Sequence, residues 1–276
     1  MVELSSAVIM FRETLEAALV VGITLAFLLK AGYLRFSKFV GLGVAAGVGA
    51  SIAAAVFFQL IAGDFEGRAE QLFEGSTMLL AAILLSWMIV WMLRRGMHLK
   101  GHTESRVSKA ASRGEKLELF LLAFIAVFRE GVESVIYLGA AAFAGSRHVL
   151  LTGAAGVVAA LLVSVAFFTV AKNINLRHFF TATSILLMLF AAGLMSHSVH
   201  EFQEAGVVPM TVEHVWDTSH VLSEASVGGS LASSLFGYAS SPSLLEVAAY
   251  AAYLIVAGVA FFSARRLPVR AAAESH

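Results

Sequence analysis

Phe128-Arg129-Glu130-Gly131-Val132-Glu133-Ser134 decides the fold of this chain, because an arginine and two glutamates stand in the middle of an otherwise apolar run. A near copy, Phe11-Arg12-Glu13-Thr14-Leu15-Glu16-Ala17, stands in the first such run. One charged side chain at the centre of a membrane helix costs about 2.5–3.5 kcal/mol on insertion scales. A chain that sets such a triplet at that depth twice must supply partners for it, and a use. On a helix Glu13 and Glu16 are i,i+3 and Arg12 and Glu16 are i,i+4, so each triplet shares one face.

Outward from the triplets the chain is apolar. Its 276 residues are 59% hydrophobic and 14% charged, with mean hydropathy +0.83, which excludes an ordinary soluble domain and leaves a multi-span membrane protein. Charge-free runs able, or nearly able, to cross a hydrocarbon core of about 30 Å lie at 39–63, 75–93, 149–171, 179–196 and 247–264. The runs 4–29 and 119–145 each carry a triplet, and accepting them makes seven transmembrane helices in an all-α membrane protein. The first run lacks the basic flank of a signal peptide and reads as a retained span. With no cysteine, thiolate sites are excluded, and any metal must be held by oxygen or imidazole.

The loops set the orientation, because short cytoplasmic loops concentrate Lys and Arg. Fifteen basic residues fall on one side, among them Lys30, Arg35 and Lys38, the 94–116 loop, Lys172, Arg177 and Arg270; the other side holds Arg68, Arg147 and ten acids including Glu224. The N-terminus is therefore expected outside and the C-terminus inside. Spans 1–3 and 4–6 then run in opposite directions with the same triplet in their first helix, the pattern of a 3+3 inverted repeat plus one extra helix. Gly43-Val44-Ala45-Ala46-Gly47 and Phe57-Phe58 have rough counterparts in Gly153-Ala154-Ala155-Gly156 and Phe167-Phe168. A single transmembrane domain over 1–276 is expected: repeat one at about 4–93, repeat two at about 117–204, an outer stretch at about 205–243 with one or two interfacial helices, and span seven at about 244–264.

Four glutamates and two arginines sum to a formal −2, so a cation between spans 1 and 4 would meet carboxylates whose charge the guanidinium groups stabilise. The alternative is a pair of Arg–Glu clamps, but a clamp needs one carboxylate per arginine and this chain supplies two. A second constellation, His197, His200, Glu201 and Glu204, occupies one helical face at the outer end of span 6. It reads either as metal capture or as a helix turning polar where it leaves the membrane. Asp64, Glu66, Glu70 and Glu74 lead into span 3 on the same side, as a solvated acidic loop or as a negative funnel for cations. The basic 94–116 loop is explained by topology and anionic lipid, with no nucleic-acid role.

These residues resemble the oxidase-dependent iron permeases, the fungal high-affinity iron permeases and their bacterial inner-membrane counterparts. The resemblance covers nearly the whole chain. Besides the two Arg-Glu-x-x-Glu motifs it includes Leu72-Phe73-Glu74-Gly75 with Trp87 and Trp91, and Ala191-Ala192-Gly193-Leu194 followed by His200-Glu201 and Gly206. Later come Trp216-Asp217 with Ser219, Phe236-Gly237-Tyr238, Pro242-Ser243 with Glu246, and Tyr250 and Tyr253. Thr14 departs from the glycine usual at that place, which Gly131 keeps.

The resemblance implies iron uptake across an inner or plasma membrane, with Glu13, Glu16, Glu130 and Glu133 as iron ligands or relay groups. Arg12 and Arg129 are then charge partners, and Glu74, His197, His200, Glu201 and Glu204 an outer capture group. It also implies an extracytoplasmic iron oxidase or iron-delivery protein as partner. Iron, expected ferric, is substrate rather than a resident cofactor, and a homo-oligomer is compatible with the pattern. Two rival readings remain at this point: a membrane redox protein with a haem or di-iron site, and a permease for another cation such as manganese or lead.

Overall fold

Long apolar runs without internal proline satisfy their own backbone hydrogen bonds only as helices when water is excluded. The computed structural model describes residues 4–95, 99–145, 148–169, 176–210, 212–223 and 226–266, and every regular element among them is helical. The order is α1 Leu4–Lys30, a 3-10 turn Leu34–Phe36, α2 Ser37–Gly63, α3 Arg68–Arg95, α4 Leu99–Arg113, α5 Lys116–Phe143, α6 Val149–Thr169, α7 Leu176–Glu204, α8 Val227–Phe236 and α9 Leu244–Arg266. Arg147, Lys172, Glu224 and Arg270, which entered the charge pattern, lie outside the described residues.

Among the described residues, five stretches are long and apolar enough to cross a membrane: Leu34–Gly63, Arg68–Met92, Val149–Phe168, Thr183–Glu204 and Leu244–Ser263. They match the five charge-free runs, although α3 and α7 run on through charged residues, because a charge ends an apolar run without ending a helix. The two triplet-bearing runs form uninterrupted helices, α1 of 27 and α5 of 28 residues. At 1.5 Å per residue each is about 40 Å long. Large apolar side chains stand exposed along α2 (Leu42, Ile52, Phe57), α6 (Leu151, Leu162, Val165) and α9 (Ile255, Val256, Val259). In water that surface would be an aggregation patch; against lipid tails it is at home. The chain is a multi-pass membrane protein.

Helix pairing brings the triplets together. α2 lies along α5, α6 along α1, and α3 along α7, while α1 also packs against α5; α9 covers α7 and α3 from outside. Close approach is made by small residues, as expected where van der Waals packing drives association. Gly43 and Gly47 of α2 sit against Phe120, Phe124 and Val127 of α5, and Gly153 and Gly156 of α6 sit against Met10, Ala7 and Phe11 of α1. A reciprocal pair of notches follows. The ring of Phe168 on α6 fills the space beside Gly22 of α1, and the ring of Phe58 on α2 fills the space beside Gly139 of α5; a Cβ at either glycine would collide with the ring. Gly22 and Gly139 each follow their motif arginine by ten positions.

The 94–116 stretch is not merely a loop. Within it α4 buries Val107, Ala110 and Ala111 while Arg106, Lys109 and Arg113 stay exposed. The apolar stripe joins Leu28, Phe36, Val40, Leu119, Leu122 and Ala123 in one cluster at the end of α1 and α5 far from the outer histidines. The basic composition hid a short i, i+3, i+4 stripe. On the other side, the described part of 205–243 contains one helix, α8. Ser226 Oγ caps it by accepting from Gly229 N at 3.0 Å, and Gly237 ends it at φ +66°. Gly237 meets Gly193 of α7 backbone to backbone, where no Cβ fits on either side.

Candidate functional site

Each triplet is held first by its own helix. Arg129 reaches Glu130 Oε1 at 3.1 Å through Nη2 and Glu133 Oε1 at 3.2 Å through Nε, and its guanidinium lies 5.6 Å from the centroid of Trp91. Arg12 behaves differently. Its Nε lies 3.3 Å from Glu16 Oε1 without hydrogen-bond alignment, its Nη2 points at Met92 Sδ at 3.2 Å, and its Nη1 has no hydrogen-bond partner. Arg12 is fully buried, whereas the Arg129 side chain is 48% exposed. The two halves of the site are alike in sequence and unlike in burial.

Packing of α1 on α5 then joins the triplets. Glu13, Glu130 and Glu133 each offer a carboxylate oxygen, and the three oxygens lie within 4.8 Å of one another. Glu16 stands close enough to feel the charges of Arg129 and Glu133. Glu13 is 1% and Glu130 8% exposed, yet neither Glu13 oxygen nor Glu130 Oε2 has a hydrogen-bond partner. Ionised carboxylates only accept hydrogen bonds. Facing one another in a buried space they repel, unless a proton or a cation lies between them. Carboxylate oxygens suit hard cations, iron among them.

Gly131 fits this junction tightly, since a Cβ there would collide with Ser51 of α2. Tyr137 is a residue that sequence reasoning missed: fully buried, it donates its hydroxyl to Glu133 Oε2 at 3.3 Å. Its only signal in the sequence is its spacing, four positions after Glu133, on the motif's own face.

The outer residues form two neighbouring groups rather than one. His200 is bridged between Glu204 Oε1, 3.2 Å from Nε2, and Glu246 Oε1, 3.2 Å from Nδ1. Both ring nitrogens are thus engaged by carboxylates. Glu246 belongs to a reciprocal cap at the start of α9: Ser243 N donates to its Oε1 at 3.3 Å, and its own N donates to Ser243 Oγ at 3.3 Å. That is the Ser-x-x-Glu capping box, legible in the sequence as a helix start but not as a partner for His200. His197 Nδ1 lies 3.1 Å from Gly193 O, one turn back in α7. Glu74 and Glu201 face one another across α3 and α7, where Glu201 and Phe202 close over Gly75 and Ser198 Oγ donates to Gly75 O at 2.7 Å. Gln71 Nε2 ties the groups by donating to Glu204 Oε2 at 3.1 Å. Farther out, Asp217 Oδ1 accepts from Ser219 Oγ at 2.6 Å and Ser219 N at 2.9 Å, and these bonds hold its carboxyl below the ordinary range.

Comparison with known proteins gives the family. The chain is 34% identical over 271 residues to the ferrous iron permease EfeU of Escherichia coli O157:H7, covering 97% of this chain and 96% of that protein. It is 34% identical over 270 residues to the proteins of the same name from Yersinia pestis and Yersinia pseudotuberculosis, covering 97% of this chain and 94% and 93% of theirs. No solved structure matches it. The profile of the Iron permease FTR1 family matches residues 3–271, so this chain, a membrane transporter for iron uptake rather than an enzyme, belongs to that family.

Proposed function

We propose that iron crosses the membrane through the junction of the two Arg-Glu-x-x-Glu motifs, with Glu13, Glu16, Glu130 and Glu133 as ligands or relay groups. Arg12 and Arg129 are their charge partners. The observation that carries this reading is the convergence of Glu13, Glu130 and Glu133 from two helices, with buried oxygens left unpartnered. A clamp would have used those oxygens; a passage for a cation leaves them open.

The surrounding architecture is a seven-span bundle, N-terminus out and C-terminus in, made of a 3+3 inverted repeat with α9 added. Exchanging the halves maps α2 on α5 onto α6 on α1, and the reciprocal ring-in-notch contacts of Phe58 with Gly139 and Phe168 with Gly22 support it. An interface of that kind near the bilayer midplane is where repeat-built transporters keep their substrate site. Iron arrives from the extracytoplasmic side past Glu74, Glu201, Glu204 and His200. An iron oxidase or delivery protein supplies it there, and no resident cofactor is required.

The ion passes as ferric iron, the harder acid for an all-oxygen set. A second reading, ferrous passage, is favoured by the name of the relatives, ferrous iron permease, and by the formal −2 of the site, which a divalent ion balances. Uptake of radioactive iron into proteoliposomes, with ferric and ferrous iron presented separately, separates the two. Transport of either ion that survives Glu13→Gln and Glu130→Gln unchanged would overturn the motif site itself.

A further inference from the structure

We infer that Tyr137 is a positioning residue of this site, fixing the Glu133 carboxylate through its hydroxyl; the inference rests on the motif site proposed above. Glu133 is held at both ends: Arg129 Nε lies 3.2 Å from Oε1, and the Tyr137 hydroxyl donates to Oε2 at 3.3 Å. Glu13, its neighbour in the trio, is held at neither oxygen. The trio therefore has one member held by donors at both oxygens, while Glu13 meets only the carboxyl of Glu130. At 3.3 Å the Tyr137 bond is longer than the usual hydroxyl-to-carboxylate bond. It orients Oε2 without saturating it, so a cation can still share that oxygen.

The chemistry of the position argues for a role beyond packing. The Tyr137 ring is fully buried in the cluster that includes Ile9, Met78, Leu85 and Leu194. A phenylalanine would fill that volume without burying a hydroxyl, which costs free energy unless it is bonded. The bond it makes is to Glu133. At the matching position after the first triplet, eight residues beyond Arg12, stands Val20, which has no hydroxyl to offer Glu16. The anchor is thus built into one half only, and it makes Glu133 the fixed ligand.

Groups that hold a metal-ligating carboxylate in place typically change metal affinity by about 10- to 100-fold when removed. Tyr137→Phe keeps the ring and deletes only the donor. In proteoliposomes it is expected to raise the half-saturation concentration for iron about tenfold, with maximal rate and melting temperature near wild type. Tyr253→Phe is the control: it packs against the same cluster, but its hydroxyl pairs with Ser86 at 2.7 Å rather than with a motif carboxylate, and its half-saturation should not move. Equilibrium binding of radioactive iron to the purified chain completes the test, because it does not depend on turnover. There, Tyr137→Phe added to Glu133→Gln should weaken binding no further than Glu133→Gln alone. If Glu133→Gln impairs binding and uptake while Tyr137→Phe changes neither, or lowers only the melting temperature, the positioning role is wrong and the site stands. Additive losses in the double variant would also refute it. If Glu133→Gln is itself without effect, it is the motif site that fails.

Discussion

Glu13 on α1 and Glu130 on α5 present carboxylate oxygens within 4.8 Å of one another, and neither Glu13 oxygen nor Glu130 Oε2 has a hydrogen-bond donor. Two acids brought that close in a buried space separate a ligand site from a structural clamp by experiment. Glu→Gln keeps volume and removes charge. Each of Glu13→Gln, Glu16→Gln, Glu130→Gln and Glu133→Gln should depress iron uptake while folded yield stays near wild type. Loss of yield with normal transport by the surviving protein would mark a clamp.

The arginines should differ from one another. Arg12 is fully buried and Arg129 half-exposed. Arg12→Ala leaves Glu16 without its buried partner and should cost about 3–5 kcal/mol of stability. Arg129→Ala removes a half-exposed side chain and leaves Glu133 still bonded to Tyr137, so it should cost less. Melting temperatures of the two purified variants check the order, and equal losses would contradict the difference in burial. In the double change Arg129→Met with Glu133→Met, a clamp would tolerate apolar replacement and a permeation site would be inactive.

For the outer group, His200→Ala together with Glu201→Gln and Glu204→Gln should raise the half-saturation concentration of uptake more than it lowers the maximal rate, because capture and passage are separate steps. An unchanged half-saturation value removes the capture role. Glu246→Ala should in addition loosen the start of α9 by about 0.5–2 kcal/mol through loss of its cap.

The ring notches make a packing prediction. Gly22→Ala or Gly139→Ala places a Cβ into the ring of Phe168 or Phe58 and should destabilise by about 1–3 kcal/mol. Phe58→Leu should recover much of the loss in Gly139→Ala and none in Gly22→Ala. Rescue across the wrong pair would show that the two contacts are not the ones described.

Because the chain has no cysteine, orientation can be read with single introduced thiols. Lys109→Cys on α4 should resist a membrane-impermeant maleimide in intact cells and react after permeabilisation. Glu213→Cys in the outer segment should react without it. The reverse pattern would turn the topology over.

The order of apolar runs, the five spans that hydropathy alone marks and the candidate identity of the site glutamates were all legible in the sequence. They depend on composition and on i,i+3 and i,i+4 spacing, which a helix converts directly into a shared face. α4 was not legible as a helix, because its buried stripe is only Val107, Ala110 and Ala111 among basic residues. The Ser243–Glu246 cap has a readable Ser-x-x-Glu spacing that sequence reasoning missed, and its reach to His200 was not legible, since nothing local to α9 says which helix it meets.

What the sequence alone determined is therefore a membrane bundle carrying two copies of one charged motif, because the cost of placing charge in lipid demands partners for those residues. What only the tertiary structure decided is which carboxylates meet and how each is held. Glu13 meets the Glu130 carboxyl without a donor, Glu133 is tied between Arg129 and Tyr137, and Arg12 is sealed while Arg129, beside Trp91, stays half exposed. Two near-identical motifs acquire different environments because α1 and α5 are covered by different neighbours, and it is the covering helices, not the motif, that set solvation and hydrogen-bond supply.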